Sequence, residues 1–180
     1  RTPGRGCFGR TRLRRRGRCQ SRHHDHALRR SEGSSGPGHP VLEHISGTRC
    51  CIGSRPGQGK IVKSLNNLLN AVNKAAVGEA WQMAEAHGID PDAFSEAISA
   101  SSGGSYAFRT TFPRIQKGDY SPAFTVALMR KDVGLALALA EGKHLPLSET
   151  TLQYYERARE FDGEDSSAVT KVRFPAHEEE

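Results

Sequence analysis

A row of amine and amide side chains recurs at helical spacing near the middle of the chain. Lys63, Asn66 and Asn67 stand three and four residues apart, and on a helix such positions share one face. Asn70 and Lys74 extend the same row. Asparagine is a poor residue for a helix interior, because its amide competes for backbone hydrogen bonds. A strongly apolar-periodic helix that carries this row breaks a local rule, and such breaks favour a functional site.

The row begins within the first of four motifs that follow one another along the chain at plausible spacing. They are Gly57-x-Gly59-x-x-x-Lys63-x-x-Asn66-Asn67, Ser101-Ser102-Gly103, Phe124-x-x-x-Leu128-x-x-Lys131-Asp132-x-Gly134-Leu135-Ala136, and Gly163-Glu164-Asp165-Ser166-Ser167-Ala168. With these motifs, residues 57–172 resemble the C-terminal helical domain of the β-hydroxyacid dehydrogenase family. That family includes 3-hydroxyisobutyrate dehydrogenase and tartronate semialdehyde reductase.

The resemblance implies a catalytic role for the motif lysine. Lys63 would be the acid/base that takes the hydroxyl proton of a small hydroxyacid as hydride leaves the adjacent carbon. An ammonium at that oxygen also offsets developing negative charge. Asn67 would hydrogen-bond the substrate, and Asn66 would support that geometry. Ser102 and Gly103 are weaker candidates for substrate contact.

The resemblance also implies NAD or NADP as the cofactor. Lys131 is similar to the family lysine near the cofactor, and Phe124 and Asp132 would lie near the nicotinamide end. Read alone, Lys63 is most simply solvated surface, and Lys131 with Asp132 a surface charge pair. The motif context favours the site roles. No metal site is expected.

Residues 57–180 are predicted to be all-α, with four individual helices and a last short one assigned. A long amphipathic helix over residues 59–87 ends at Gly88, and Asp90 caps a second helix that begins with Pro91. A third long helix follows Ser121-Pro122. Ser148 is expected to cap the next helix and Asp165 a last short one. The predicted fold class is mainly α, similar to the 6-phosphogluconate dehydrogenase C-terminal domain, with a homodimer or tetramer formed through the long helix.

The N-terminal third differs from the rest in charge and composition. Residues 1–60 carry fourteen basic and three acidic residues, whereas residues 61–180 carry twelve and seventeen. Residues 1–39 lack apolar periodicity, which predicts a disordered or non-native basic segment. A shifted reading frame would explain its Arg, Gly, Pro and Ser content. Residues 40–56 weakly resemble a remnant of an NAD(P)-binding Rossmann domain and its linker.

Other readings of the basic segment are open but less favoured. A nucleic-acid-binding arm is unsupported by interleaved aromatics or by a binding module. A zinc site would have to use residues whose spacings match no paired-ligand pattern. These residues are Cys7, Cys19, His23, His24, His26, Cys50 and Cys51. No apolar run reaches the length of a membrane span and no secretory signal is recognised, so a cytoplasmic location is expected.

A dehydrogenase of this family needs a Gly-x-Gly-x-x-Gly turn between a strand and a helix to hold the pyrophosphate. No such turn stands in a credible context in this sequence. The expectation is an NAD(P)-dependent hydroxyacid oxidoreductase with a truncated or frame-shifted cofactor half, weakly active or inactive as given. The alternative is a non-catalytic helical dimerisation or binding module with the family fold.

Overall fold

The computed structural model describes Ile52 and residues 55–173. The predictions for residues 1–39, and nearly all of those for residues 40–56, lie outside this part of the chain. The described part contains helices α1 (Gln58–Ala86), α2 (Pro91–Ala100), α3 (Tyr106–Lys117), α4 (Val126–Leu137) and α5 (Pro146–Arg157), with 3₁₀ helices at Ala138–Ala140, Ala158–Phe161 and Ser166–Lys171. It contains no strand, only an isolated bridge between Thr125 and Asp165. The mainly helical prediction is confirmed for these residues.

Helix α1 begins and ends at glycines in the left-handed region. Gly57 has φ 91° and its carbonyl accepts from the amides of Lys60 and Ile61, which opens the helix. Gly88 has φ 68°, and the amide of Ile89 donates to the Ala84 carbonyl behind it. Only glycine adopts such dihedrals without strain. The predicted limits of the long helix are therefore correct to within one residue.

Helix α1 is a spine that contributes to two hydrophobic cores. Its middle packs Ala71 and Ala75 against α4, α5 and the Ser166–Lys171 turn, where Tyr155 is fully buried. Its C-terminal half packs Val77 and Trp81 against the aromatic residues of α2 and α3. The four aromatic rings of this second core have centroids 5.1–5.9 Å apart, and belong to Trp81, Phe94, Phe108 and Phe112.

Three predicted features differ from the structure. No element is predicted for residues 106–117, yet they form α3, whose Ser105 cap accepts from the amide of Phe108. Helix α4 begins only at Val126, because the Thr125 hydroxyl caps it, so Phe124 lies outside the helix. Ser148 caps nothing, since α5 already begins at Pro146. The caps predicted at Asp90 and Asp165 are confirmed.

Gly78 is the point of closest approach between α1 and the Ser166–Lys171 turn. A Cβ atom at Gly78 would lie 2.9 Å from the Cα of Thr170, a backbone atom that cannot rotate away. Alanine favours helices over glycine by about 1 kcal/mol, but we expect Gly78→Ala to lower the free energy of unfolding by about 1–3 kcal/mol through overpacking. Urea unfolding followed by circular dichroism measures it.

Gly134 provides a matched control for this substitution. It lies within α4, and a Cβ built on it meets no atom within 4 Å. We expect Gly134→Ala to raise stability by about 0.5–1 kcal/mol. If the two alanine variants changed stability in the same direction, close approach would not be the reason for glycine at position 78.

Candidate active site

The polar row on α1 runs from the protein surface into the core. Lys63 is exposed, Asn67 and Asn70 are half-buried, and Lys74 retains only 8% of its accessible surface. These residues occupy one helical face, as their spacing predicts. The first half of the row is therefore open to a ligand, while the last residue belongs to the interior.

Asn67 ties the row to helix α4. Its side-chain Nδ2 donates to the Asp132 carboxylate across 2.6 Å, in a half-buried position. A hydrogen bond to an ionised carboxylate is stronger than one between neutral groups. It commits the amide nitrogen to Asp132 and leaves the Asn67 carbonyl oxygen Oδ1 as an acceptor. The pairing joins a predicted substrate residue to a predicted cofactor residue.

Lys63 lies one helical turn before Asn67. Within residues 55–173 its amine makes no side-chain hydrogen bond and no ion pair. Asn66 is also exposed and lies on the edge of the same face. A general acid/base must reach the proton that it transfers. An accessible amine with no side-chain partner among the described residues, next to a fixed amide, meets that requirement.

The predicted cofactor residues occupy the start and the outer face of α4. Lys131 is exposed beside Asp132, which is half-buried. Phe124 precedes the capping residue Thr125, and its half-buried side chain packs against the first core. The exposed cation Lys131 thus lies next to Asp132 on α4, and the half-buried aromatic Phe124 lies two residues before that helix begins.

Exposed apolar side chains surround the polar residues of α4. Leu128 and Leu135, which flank Lys131 and Asp132 by one turn on either side, retain 46% and 50% of their accessible surface. Exposed apolar surface grouped around polar residues is typical of binding sites. This face of α4 is therefore suited to contact another molecule or domain.

Ser102 and Gly103 lie in the exposed loop between α2 and α3. They follow α2, whose Phe94 packs against Trp81 in the second core. Trp81 is eighteen residues beyond Lys63, which corresponds to roughly 27 Å along a helix axis. The structure joins Asn67 to Asp132 directly, with Lys63 one turn before Asn67, whereas Ser102 and Gly103 are exposed beyond the end of α2, a helix of the second core. Their substrate role stays a prediction.

A buried ionic network continues the row and was not predicted from spacing. The Lys74 ammonium donates to Ser166 Oγ across 2.7 Å and lies 3.7 Å from Asp165 Oδ1. Burial lowers the pKa of Lys74, opposed by the nearby Asp165 charge. Burial would raise the pKa of Asp165, but the Lys74 charge and hydrogen bonds from Ser167 and Phe124 hold it below its usual value. The network therefore favours the ionised form of Asp165, while burial opposes the charge on Lys74.

Residues 52 and 55–173 contain no group of three or more His, Cys, Asp or Glu side chains that could hold a metal ion. In the same part of the chain, no helix is both long and apolar enough to span a membrane.

Residues 57–173 match the family described as "NAD-binding of NADP-dependent 3-hydroxyisobutyrate dehydrogenase". The match covers more than half of the chain, and the chain belongs to this family of hydroxyacid dehydrogenases. The resemblance carried by the four motifs is thereby confirmed.

Similar proteins are themselves hydroxyacid dehydrogenases. The chain is 39% identical over 142 residues to L-threonate dehydrogenase of Cupriavidus necator, covering 77% of this chain and 48% of that protein. It is 38% identical over 138 residues to 2-(hydroxymethyl)glutarate dehydrogenase of Eubacterium barkeri, covering 74% and 46%. The crystal structure of 3-hydroxyisobutyrate dehydrogenase from Salmonella typhimurium superimposes with a TM-score of 0.70 at 33% identity, over 74% and 48% of the two chains. The chain spans about half the length of these relatives.

Proposed function

We propose that this chain supplies the proton-transfer and substrate-binding side of an NAD(P)-dependent hydroxyacid oxidoreductase. The observation that carries the proposal is the exposed Lys63 amine, which has no side-chain partner within residues 55–173, one turn from the Asn67–Asp132 hydrogen bond. Membership of a dehydrogenase family supports the reaction class. The substrate class is a small 2- or 3-hydroxyacid.

The chain's own residues have separate roles in this reaction. Lys63 Nζ accepts the substrate hydroxyl proton as the C–H bond of the carbinol carbon breaks and its C–O bond becomes a carbonyl. In the reverse direction the Lys63 ammonium returns that proton. Asn67, held by Asp132, accepts a hydrogen bond from a substrate hydroxyl at Oδ1 and fixes the carbon's orientation. Asn66 supports this geometry from the neighbouring position.

NAD(P)+, when bound, accepts the hydride from the carbinol carbon. The described residues fit one end of that cofactor: Phe124 offers an aromatic edge, and Lys131 an exposed cation for its phosphate or ribose oxygens. No Gly-x-Gly-x-x-Gly turn between a strand and a helix occurs among residues 55–173. Residues 55–173 therefore contribute to the nicotinamide side and do not by themselves cradle the pyrophosphate.

The names of the relatives guide the choice of substrates for assay. L-threonate, 2-(hydroxymethyl)glutarate and 3-hydroxyisobutyrate, which the related dehydrogenases are named for, all combine a hydroxyl with a carboxylate. Lys63 and Lys131 give the candidate site two exposed cations, which favour an anionic substrate. These three acids are the first candidates for this chain.

Removing the Lys131 charge tests the cofactor assignment. We expect Lys131→Ala to weaken NADPH or NADH binding by about tenfold, the effect of one charge-assisted hydrogen bond. Fluorescence titration of the reduced cofactor measures it. Lys143→Ala, another exposed lysine, is the matched control and should bind as the parent chain does. Absence of binding at millimolar cofactor would favour the non-catalytic module instead.

The alternative function, a helical dimerisation module, has its own support on the outer face of α1. Leu65, Leu69 and Met83 keep 42%, 63% and 62% of their accessible surface, and their spacing places them on the side opposite the cores. A long apolar stripe on a helix is typical of a contact between chains. We infer a homodimer or tetramer through α1, which is compatible with either function.

A charged residue within the apolar stripe of Leu65, Leu69 and Met83 is expected to disrupt the contact between chains. Leu69→Glu should shift the molar mass measured by size-exclusion chromatography with light scattering to that of the monomer, because a carboxylate would be buried in the contact. Leu147→Glu, at an equally exposed leucine on α5, should leave the mass unchanged. If both variants keep the parent mass, α1 does not form the contact. A cytoplasmic location and the absence of a nucleic-acid partner stay predictions.

A further inference from the structure

Lys74 lies on the same face of α1 as Lys63 but at the buried end of the row. Its ammonium reaches Ser166 Oγ at 2.7 Å and Asp165 Oδ1 at 3.7 Å. Its side chain retains 10% of its accessible surface and that of Asp165 retains 7%. None of the steps assigned to Lys63 and Asn67 uses this pair.

Asp165 and Ser166 hold the backbone of Phe124 from both directions. The Phe124 amide donates to Asp165 Oδ2 across 3.3 Å, and the Phe124 carbonyl accepts from the Ser166 amide across 2.7 Å. The Asp165 amide also donates to the Tyr120 carbonyl at 2.9 Å. The segment that leads into α4 is therefore fastened to the two residues that Lys74 contacts.

Two polar ties consequently join α1 to the segment of Phe124 and α4. One is the Asn67–Asp132 hydrogen bond, and the other is the contact of Lys74 with Asp165 and Ser166. Residues 67 and 74 are seven apart, or roughly 10 Å along the helix. Two ties at that separation restrict both sliding and rotation of α4 against α1, which a single tie cannot do.

We propose that Lys74 is a positioning residue: its ammonium, through Asp165 and Ser166, fixes Phe124 and the start of α4 relative to the helix that carries Lys63. The functional meaning of this position rests on the proposed function, in which Phe124 borders the cofactor. The proposed role predicts that loss of the ammonium releases Phe124 first and the remaining structure afterwards.

A role in core stability alone would not require an ion pair at this position. Apolar residues of similar volume often stabilise a core as well as a buried ion pair does, or better. The pair also fixes the position of the Phe124 backbone. Asp165 accepts from the Phe124 amide at Oδ2 and from the amide and hydroxyl of Ser167 at Oδ1. An apolar pair would fill the same space without placing the Phe124 backbone.

Other charged and titratable groups face the pair. Burial is the main cause of the lowered pKa of Lys74, and the positive charge of Arg114 on α3 lowers it further. Burial is also the main cause of the raised pKa of Tyr155 on α5, and the Asp165 charge raises it further. The Tyr155 hydroxyl donates to the Ser166 carbonyl at 3.4 Å, so it supports the same turn. Any titration of the turn in the acid range is assigned to Asp165 only if it disappears in an Asp165→Asn variant, because the Arg114 guanidinium does not titrate in acid.

Amide hydrogen exchange by NMR tests the proposal on the whole chain. In Lys74→Met we expect exchange of the Phe124 and Ser166 amides to accelerate at least tenfold more than exchange of the Phe108 and Phe112 amides in the second core, which accelerates only as global stability falls. The acid titration midpoint of the Phe124 amide shift should also move to higher pH. Lys60→Met, an exposed lysine on the same helix, should change neither. Equal acceleration in both cores would mean general destabilisation and would overturn the proposal.

A milder variant is available if Lys74→Met does not fold. Ser166→Ala removes only the Oγ acceptor and leaves the Asp165 hydrogen bonds in place. It should accelerate Phe124 exchange selectively, by a smaller factor than Lys74→Met. Unchanged Phe124 exchange in Ser166→Ala, with the second core also unchanged, would count against the role of the Lys74 contact.

Cofactor titration separates this inference from the proposed function. If the parent chain binds NADPH, Lys74→Met should weaken binding by several-fold and Lys60→Met should not; unchanged affinity with a released Phe124 would overturn the link to the cofactor. If the parent chain binds neither NADPH nor NADH, the proposed function fails. The exchange experiment still decides whether Lys74 positions Phe124, because it needs no ligand.

Discussion

Lys63→Met is expected to reduce hydride transfer between a hydroxyacid and NAD(P)+ by about 10²–10⁴-fold, the contribution typical of a general acid/base. Methionine keeps the length of the side chain but can neither accept the hydroxyl proton nor offset charge on the oxygen. The loss should appear mainly in kcat, because Asn67, held by Asp132, would still bind the substrate. Absorbance of the reduced cofactor, followed with each candidate acid, measures the effect.

Stability provides the control for Lys63→Met. Lys63 is exposed and makes no side-chain bond within residues 55–173, so its replacement should change the free energy of unfolding by less than about 0.5 kcal/mol. Lys60→Met, three residues earlier on α1, should keep the parent rate. A Lys63→Met variant that transfers hydride at the parent rate would contradict the catalytic assignment. A parent chain without hydride transfer would favour the non-catalytic module.

Lys74→Met is expected to lower the free energy of unfolding by about 3–5 kcal/mol at neutral pH, because removing one partner leaves the other charge buried. Asp165 would keep its hydrogen bonds from Phe124 and Ser167 but lose the only cation placed against it within residues 55–173. Urea unfolding measures the loss. The double variant Lys74→Met/Asp165→Asn should cost less than the sum of the two single variants. Strict additivity would mean that the two side chains do not act as a pair.

The same pair sets a pH dependence with a defined sign. In the parent chain the folded-state pKa of Asp165 lies below its unfolded value, so the carboxylate contributes stability above the unfolded pKa. That contribution is lost as the pH falls through the folded pKa. In Lys74→Met, burial without the ammonium should raise the folded pKa of Asp165. The variant should then recover part of its deficit as the pH falls, and the two stability curves should converge in acid.

Local features of the sequence were sufficient to predict the long helix and the polar row. Gly57 and Gly88 mark the ends of α1 because their positive φ values suit glycine, and Lys63, Asn66 and Asn67 share a face because the helical period requires it. Asp90 caps α2 through two backbone amides, as its place before Pro91 predicts. These features depend on residues within one or two turns of each other, so the sequence alone defines them.

Contacts between distant residues could not be predicted in this way. The Asn67–Asp132 bond joins residues 65 apart, and the Lys74–Ser166 bond joins residues 92 apart. Helical periodicity places Lys74 on the row but does not determine how deeply that end is buried. Only the packing of α4 and the Ser166–Lys171 turn against α1 places its amine in the interior.

Helix α3 shows a different limit. Its threonines and Pro113 are poor helix formers, yet Phe108 and Phe112 recur at a spacing of four and are almost fully buried in the second core. Aromatic packing against Trp81 therefore outweighs weak local propensity. That spacing was the signal present in the sequence from which the helix could have been predicted.

We propose a binding site for a small hydroxyacid at the surface around Lys63, Asn67 and Asp132. Its most direct test is a titration of the ¹⁵N-labelled chain with L-threonate or 3-hydroxyisobutyrate, with and without NADP+, followed by NMR. The side-chain amide signal of Asn67 and the backbone signals of Lys63 and Asp132 are predicted to shift saturably, while Phe112 in the second core does not move. Signals that stay fixed with both acids, or shifts confined to the loop of Ser102 and Gly103, would contradict the claim.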